Sequence, residues 1–188
     1  MKDHPKFPEQ IETDRLRIAI YEAGDGQDFY HLLQKNAAYL EEELYEVRAL
    51  KSPDDAETYT KEKIEEWHIA KRFVSKIVER ESEEMIGQLW LEPRWEEEVF
   101  EVGYFIVEKK QGQGYVTEAV NKAIEILFED LGVDSLEIQT KVTNIRSINL
   151  AKRCGFRLIT RIPNVGKTKT GELVDMFHFR LSSGDYQP

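Results

Sequence analysis

The sequence predicts an α/β (α+β) fold, a mixed, largely antiparallel sheet flanked by helices, in one domain spanning residues 1–188. Three observations predict it. Segments in which apolar residues alternate with polar ones are interspersed with segments of helical period. A single pair of strand-like segments, FEVGYFIV and SLEIQTKV, is joined through a helix and so needs a parallel crossover. No repeat, low-complexity tract or Pro/Gly/Ser linker divides the 188 residues, and 40% apolar content suffices for one sizeable core.

The elements follow in order. Leu16, Ile18 and Ile20 alternate with polar or small residues as a half-buried strand. Over residues 27–44, Phe29, Leu32, Leu33, Leu40 and Leu44 recur at helical spacing, and Glu41, Glu42 and Glu43 crowd the end as a solvated face. Ser52 as N-cap, Pro53 at the first helical position, and Asp54 and Asp55 near the positive end of the dipole announce a second helix, with Ala56, Ile64 and Trp67 on its apolar side. RFVSKIVER and MIGQLWLEP, separated by the polar ESEE, predict an antiparallel hairpin. Trp90 and Trp95 are expected to pack in the core or at an edge rather than serve as ligand platforms. Residues 100–107 form the most apolar strand, followed by a helix over about 117–131 that Gly132 ends in a left-handed cap. Leu136, Ile138 and Val142 alternate with Glu137, Gln139 and Lys141 in the next strand. A short helix after Asn144 closes at Gly155, and residues 156–162 and 173–180 predict a final hairpin whose connection holds Pro163, Gly166 and Gly171.

Composition narrows the function classes. The 36 acidic side chains outnumber the 26 basic ones, and the formal net charge of -10 disfavours nucleic acid as a partner while accommodating a basic or amine-bearing one. The only cysteine, Cys154, excludes an intramolecular disulfide and a CxxC zinc site and fits a reducing compartment. The first ten residues lack a signal-peptide apolar core, and no stretch approaches the ~18 apolar residues of a membrane span. A cytoplasmic protein without a membrane partner is expected. His4, His31, His68 and His178 show no metal-ligand spacing, so no metal is expected.

The chemistry concentrates in EKKQGQGYV, a glycine-bearing loop directly after the apolar strand and directly before an amphipathic helix. Gly112 and Gly114 let backbone N–H groups point into one concavity, and the helix N-terminus adds its positive dipole, so the loop suits a pyrophosphate. A Rossmann fingerprint needs a glycine where Thr117 stands. A Walker A loop at Gly166-Lys167-Thr168 lacks its first glycine, because Arg161 is there. The alternative is a plain strand-to-helix turn with no ligand.

Gln111-Gly112-Gln113-Gly114-Tyr115-Val116 resembles the acetyl-CoA loop of the GNAT superfamily, Gln/Arg-x-x-Gly-x-Gly/Ala, with Val116 in place of the final small residue. Asn144-Ile145-Arg146-Ser147 followed by Cys154-Gly155-Phe156 resembles the RimJ/RimL-type branch, as do TDRLRI, LLQKNAAYLEEEL, Ile86-Gly87 and EVGYFIV. The resemblance implies a GNAT-like mixed, largely antiparallel sheet of six to seven strands and acetyl transfer from acetyl-CoA, as co-substrate, to a primary amine. The acceptor would be a protein N-terminus or a small molecule such as a polyamine. A CoA-binding sensor or scaffold without turnover is the alternative of another class, and a homodimer is compatible with the family.

The same resemblance implies site roles. The strand ending in Phe105, Ile106 and Val107 would splay from its neighbour and hold the pantetheine arm, with the N–H of Ile106 or Val107 as oxyanion donor. Gln111, Gly112, Gln113, Gly114, Tyr115 and Val116 would cradle the pyrophosphate, and the Asn144 amide would touch the cofactor arm. Glu101 is the candidate base, acting through water, against a simpler role in cross-sheet pairing. Ser147 is the candidate acid toward the leaving thiolate, although a serine there also suits a helix start. Cys154, with no histidine nearby in sequence, is expected to be a small buried hydrophobe rather than an acyl carrier. Lys109 and Lys110 on one flank, and Arg146, Lys152 and Arg153 on the other, would suit the phosphates of CoA, while Glu41, Glu42, Glu43 and Glu46 would attract a cationic acceptor.

Overall fold

The alternating segments become strands in the predicted order. A computed structural model describes residues 4–41, 43–44 and 46–187; Glu42 of the acidic run lies outside the described residues. Among these, eight strands form one sheet: β1 (Gln10–Glu12), β2 (Leu16–Ile20), β3 (Phe73–Glu79), β4 (Met85–Arg94), β5 (Val99–Ile106), β6 (Ser135–Lys141), β7 (Arg157–Lys167) and β8 (Leu173–Ser182). Their spatial order is β1-β2-β3-β4-β5-β6-β8-β7, antiparallel throughout except for the β5–β6 pair. The strand beyond the expected six to seven is β1, whose three residues are too few to show a period; it is held by pairing Ile11 to Ile18.

Among the described residues six α-helices accompany the sheet: α1 (Asp25–Lys35), α2 (Ala37–Leu40), α3 (Glu46–Ala49), α4 (Pro53–His68), α5 (Tyr115–Glu125) and α6 (Ile145–Arg153). Successive side chains of a strand point to opposite faces. Phe105 of β5 meets Phe29 of α1, whereas its neighbour Tyr104 meets Ser147 of α6, so α1 and α6 cover opposite faces. Tyr59 of α4 stacks on Phe29 and bonds Gln88, which places α4 beside α1, while α5 packs with α6.

Three boundaries differ from the sequence expectation, the first and third for a tertiary reason. The helix over residues 27–44 breaks at Asn36, whose Nδ2 donates to the Leu32 carbonyl while its Oδ1 accepts from the Glu108 N–H beyond β5. The helix expected from 117 starts at Tyr115 and, after Glu125, winds on as a π-helical turn over Ile126–Asp130, where Leu131 N–H reaches the Ile126 carbonyl at 3.1 Å. β7 continues through Pro163 and Gly166 to Lys167: the register shifts there, Asn164 adopts φ 57°, and Asp175 accepts from the Asn164 N–H and from Arg161. Proline is tolerated because β7 is an edge strand.

Candidate active site

β5 and β6 pair only through Val99, Phe100 and Glu101 against Ser135, Leu136 and Glu137, although β5 runs on to Ile106 and β6 to Lys141. Beyond Glu101 and Glu137 each strand keeps its outer partner, β4 or β8, and the two part from one another. Glu137 pins the apex. Its buried carboxylate is bridged to Arg94 and Arg180 and lies 3.1 Å from His178 Nε2. Burial pushes this carboxyl up, but the two guanidinium groups and His178 hold it below its ordinary value.

The split opens into a cavity of about 1070 Å³ lined from β5 by Val102–Ile106, from β6 by Ile138–Lys141, by the glycine loop, and by Asn144 and Ser147 of α6. The Val107 N–H donates to the Ile86 carbonyl at 2.8 Å, so Val107 is turned to β4. Because backbone groups alternate along a strand, the N–H groups of Tyr104 and Ile106 face the open side instead. Val107 is also absent from the cavity lining, which corrects its expected part as an oxyanion donor, while Ile106 lines the cavity.

All six loop residues, Gln111 to Val116, line the cavity. Gly112 and Gly114 have φ of 70° and 84°; a Cβ at Gly112 would meet nothing within 4 Å, so the left-handed backbone, not space, requires glycine there. Gly114 caps α5, whose N-terminus therefore faces the cavity. Gln111 Nε2 is buried and, among the described residues, has no hydrogen-bond partner. A buried orphan donor at a cavity wall, beside left-handed glycines and an unpaired strand edge, fits a phosphate-bearing ligand with an extended arm.

Asn144 is the N-cap of α6: its Oδ1 accepts from the Ser147 N–H at 3.1 Å, leaving Nδ2 outside the cap. Ser147 is not the cap, and its hydroxyl lies 2.8 Å from the Tyr104 hydroxyl. Burial pushes the Tyr104 phenol up to about 12, partly opposed by the bond to Ser147, so it stays protonated. Glu101 stands at the closed end of the split, in register with Glu92 on β4 and Glu137 on β6, and is not among the cavity-lining residues. Burial first, then the neighbouring Glu92 and Glu137 charges, raise its carboxyl above the ordinary value against the pull of Arg94 and Arg72.

The model of the acetyltransferase (GNAT) domain matches residues 15–157. The chain belongs to the GNAT acetyltransferase family. Among curated relatives, p20 of Bacillus licheniformis, an uncharacterised N-acetyltransferase, is 30% identical over 58% of this chain; the chain spans only 62% of that relative's length. Two solved acetyltransferase structures share the fold. The ribosomal L7/L12 alpha-N-protein acetyltransferase RimL, in complex with coenzyme A, superposes with a TM-score of 0.87 at 19% identity, covering 93% of this chain and 98% of RimL. The microcin C7 self-immunity acetyltransferase MccE, with acetyl-CoA and AMP, does so with a TM-score of 0.85 at 20% identity, covering 94% of this chain and 97% of MccE.

Within this GNAT site several expectations change. Lys109 and Lys110 are held by Glu84 and Glu79, at 2.9 and 2.6 Å, so neither offers a free charge on the loop flank. On the other flank Arg153 donates to Thr117 Oγ1 and Arg146 lies over the Tyr39 ring; both line the cavity. Glu41 pairs with Lys169 and Glu43 with Lys141, which neutralises half of the acidic patch expected to draw a cationic acceptor. Trp95 packs, donating to the Ala70 carbonyl, but Trp90 lines the cavity over Gly103. From the sequence Trp90 is expected to pack rather than to line a ligand site, and Tyr104 is given no role. A glycine inside a strand pattern, as at Gly103, signals close approach by another group, which the structure identifies as the Trp90 indole. Cys154 is buried outside this cavity, its thiol pushed up to about 11 by burial, so it is no nucleophile at neutral pH. Among the described residues no cluster of His, Cys, Asp or Glu is arranged to hold a metal ion, and no helix is long and apolar enough to cross a membrane.

Proposed function

We propose that residues 1–188 act as one GNAT domain that transfers the acetyl group of acetyl-CoA directly to a primary amine. The split of β5 from β6 beyond Glu101 and Glu137 carries this reading. Its open edge, the orphan Gln111 donor and the positive end of α5 together match an acyl-pantetheine arm joined to a pyrophosphate.

The residue roles follow from geometry and acid–base chemistry. The arm lies along β5, with the Asn144 Nδ2 group as a further donor, and the loop Gln111–Val116 takes the pyrophosphate. The acetyl carbonyl is directed at the Ile106 N–H, which stabilises the tetrahedral oxyanion. Glu101, its carboxyl raised by burial, accepts the ammonium proton through water. The Tyr104 and Ser147 hydroxyls are within hydrogen-bond distance, and with Tyr104 as the donor the Ser147 hydrogen is aimed at the departing thiolate. Val116 narrows the loop mouth relative to a glycine without closing it, since the whole loop lines the cavity.

A protein N-terminus is the proposed acceptor, because the acceptor end is bordered by Tyr39, Glu43, Lys167 and Met176 and stays open to solvent at the β7–β8 tip. The proposed assembly is a homodimer through β7, an edge strand that exposes Leu158, Ile159 and Val165. The reduced Cys154 fits a cytoplasmic setting.

Calorimetric titration with acetyl-CoA and desulfo-CoA tests the reading, followed by thiol release across peptides with free N-termini, polyamines and aminoglycosides. Binding with thiol release on peptides is expected. Release on a small amine alone moves the acceptor class, binding without release makes the chain a CoA sensor, and no binding ends the proposal.

A further inference from the structure

The glycine loop is gripped at both ends by one buried carboxylate. Glu79, the last residue of β3, is 5% exposed, and both its oxygens lie 2.6 Å from Lys110 Nζ. The same carboxylate accepts from the Tyr115 hydroxyl at 2.5 Å and from Ser82 Oγ at 2.6 Å. Lys110 immediately precedes Gln111–Gly114 and Tyr115 immediately follows it. A second clamp acts from the solvent side. Arg15 lies over the Tyr115 ring, 4.3 Å from its centroid, donates from Nη1 to the Gln113 carbonyl at 2.9 Å, and is anchored by Nε to Glu118 at 2.7 Å. The Gln113 carbonyl is thus taken up outside the cavity, and the Gln111 N–H by the Glu108 carbonyl at 3.2 Å, so the loop's backbone is tied at both points.

We infer that Glu79, assisted by Arg15, is a positioning residue that pre-forms the loop for pyrophosphate binding, an inference resting on the acetyl-CoA reading above. Two left-handed glycines give a free loop many conformations, and ordering it during binding costs entropy. A loop already tied down at both ends avoids that cost, so the clasp acts on affinity rather than on the chemical step. Lys110 accordingly serves the loop's shape and does not neutralise phosphate.

The test compares the full-length chain with Glu79→Gln and Tyr115→Phe, titrated calorimetrically with CoA, assayed with acetyl-CoA, and followed by amide exchange. Glu79→Gln is expected to weaken CoA about tenfold and Tyr115→Phe about threefold, as loss of charge-assisted hydrogen bonds implies. The KM for acetyl-CoA should rise in parallel while kcat and the acceptor KM hold, with faster exchange confined to residues 111–116. CoA affinity within twofold of wild type for both variants overturns the inference, as does a joint fall of kcat with exchange raised across the sheet. Should Glu79→Gln fail to fold, Tyr115→Phe, which removes one hydroxyl, decides alone. A wild-type chain that binds no CoA defeats the acetyl-CoA reading itself and is distinguished before any variant is compared.

Discussion

The Tyr104 hydroxyl lies 2.8 Å from Ser147 Oγ, tying a side chain of β5 to the first turn of α6 inside the cavity that the strand split opens. A phenol held protonated by burial can donate to the serine oxygen, and in that arrangement the serine hydrogen is free for another partner. Ser147→Ala is expected to lower kcat about a hundredfold, at the low end for a general acid, and Tyr104→Phe by about tenfold, with KM for acetyl-CoA little changed in either. Thiol release under saturating acceptor checks this. A Ser147→Ala variant with wild-type turnover removes Ser147 from the mechanism.

With Glu101 as the proposed base, its carboxyl is expected to set the acid side of the pH profile. Its carboxyl is raised by burial and by Glu92 and Glu137, and a base works only when deprotonated. Activity should therefore fall as pH drops through a pKa above the usual glutamate range. Glu101→Gln should lower kcat/KM and abolish that acid limb. If the limb survives the substitution, another group is the base.

Gly103 must stay small. A Cβ there would overlap the indole of Trp90, which lies directly over it and walls the cavity. Gly103→Ala should displace Trp90, cost about 1–3 kcal/mol of stability as an overpacked site does, and raise the acceptor KM. Thermal denaturation and Trp fluorescence read the first two effects, and steady-state kinetics the third.

The carboxylate at the apex of the split is the structural hinge of the site. Glu137 is 2% exposed while its partners Arg94 and Arg180 are 34% and 42% exposed. Glu137→Gln leaves Arg180 without a carboxylate and Arg94 with Glu97 alone, and solvent screens both, so a loss of about 2 kcal/mol is expected rather than the ~3–5 kcal/mol of a fully buried pair. Urea denaturation measures it, and an unchanged midpoint would show that the cluster adds nothing to stability.

Dimerisation through β7 predicts a concentration-dependent mass in sedimentation equilibrium. Replacing the exposed Ile159 by Lys should shift the chain to monomer without altering its thermal midpoint by more than about 0.5 kcal/mol equivalent, as for a surface change. A chain that is monomeric from the outset refutes the interface.

Local periodicity and end signals in the chain carried the order of strands and helices, the Ser52 cap of α4, the single parallel crossover and the glycine loop, because those depend on neighbours a few residues apart. Contacts between distant segments had no such local trace. Asn36 leaves its helix because Glu108 lies beside it, β7 passes through Pro163 because Asp175 takes its bends, and β1 exists because β2 offers an edge. The site divides the same way. The glycine loop between strand and helix could be read from spacing, and the Asn144–Ser147 motif only from its resemblance to the GNAT superfamily. The choice of Ile106 over Val107, the Tyr104–Ser147 bond, the neutralised lysines of the loop flank and the Trp90 wall arise only when β3, β4 and α6 come together, since each turns on which partner stands across a sheet or over a helix end.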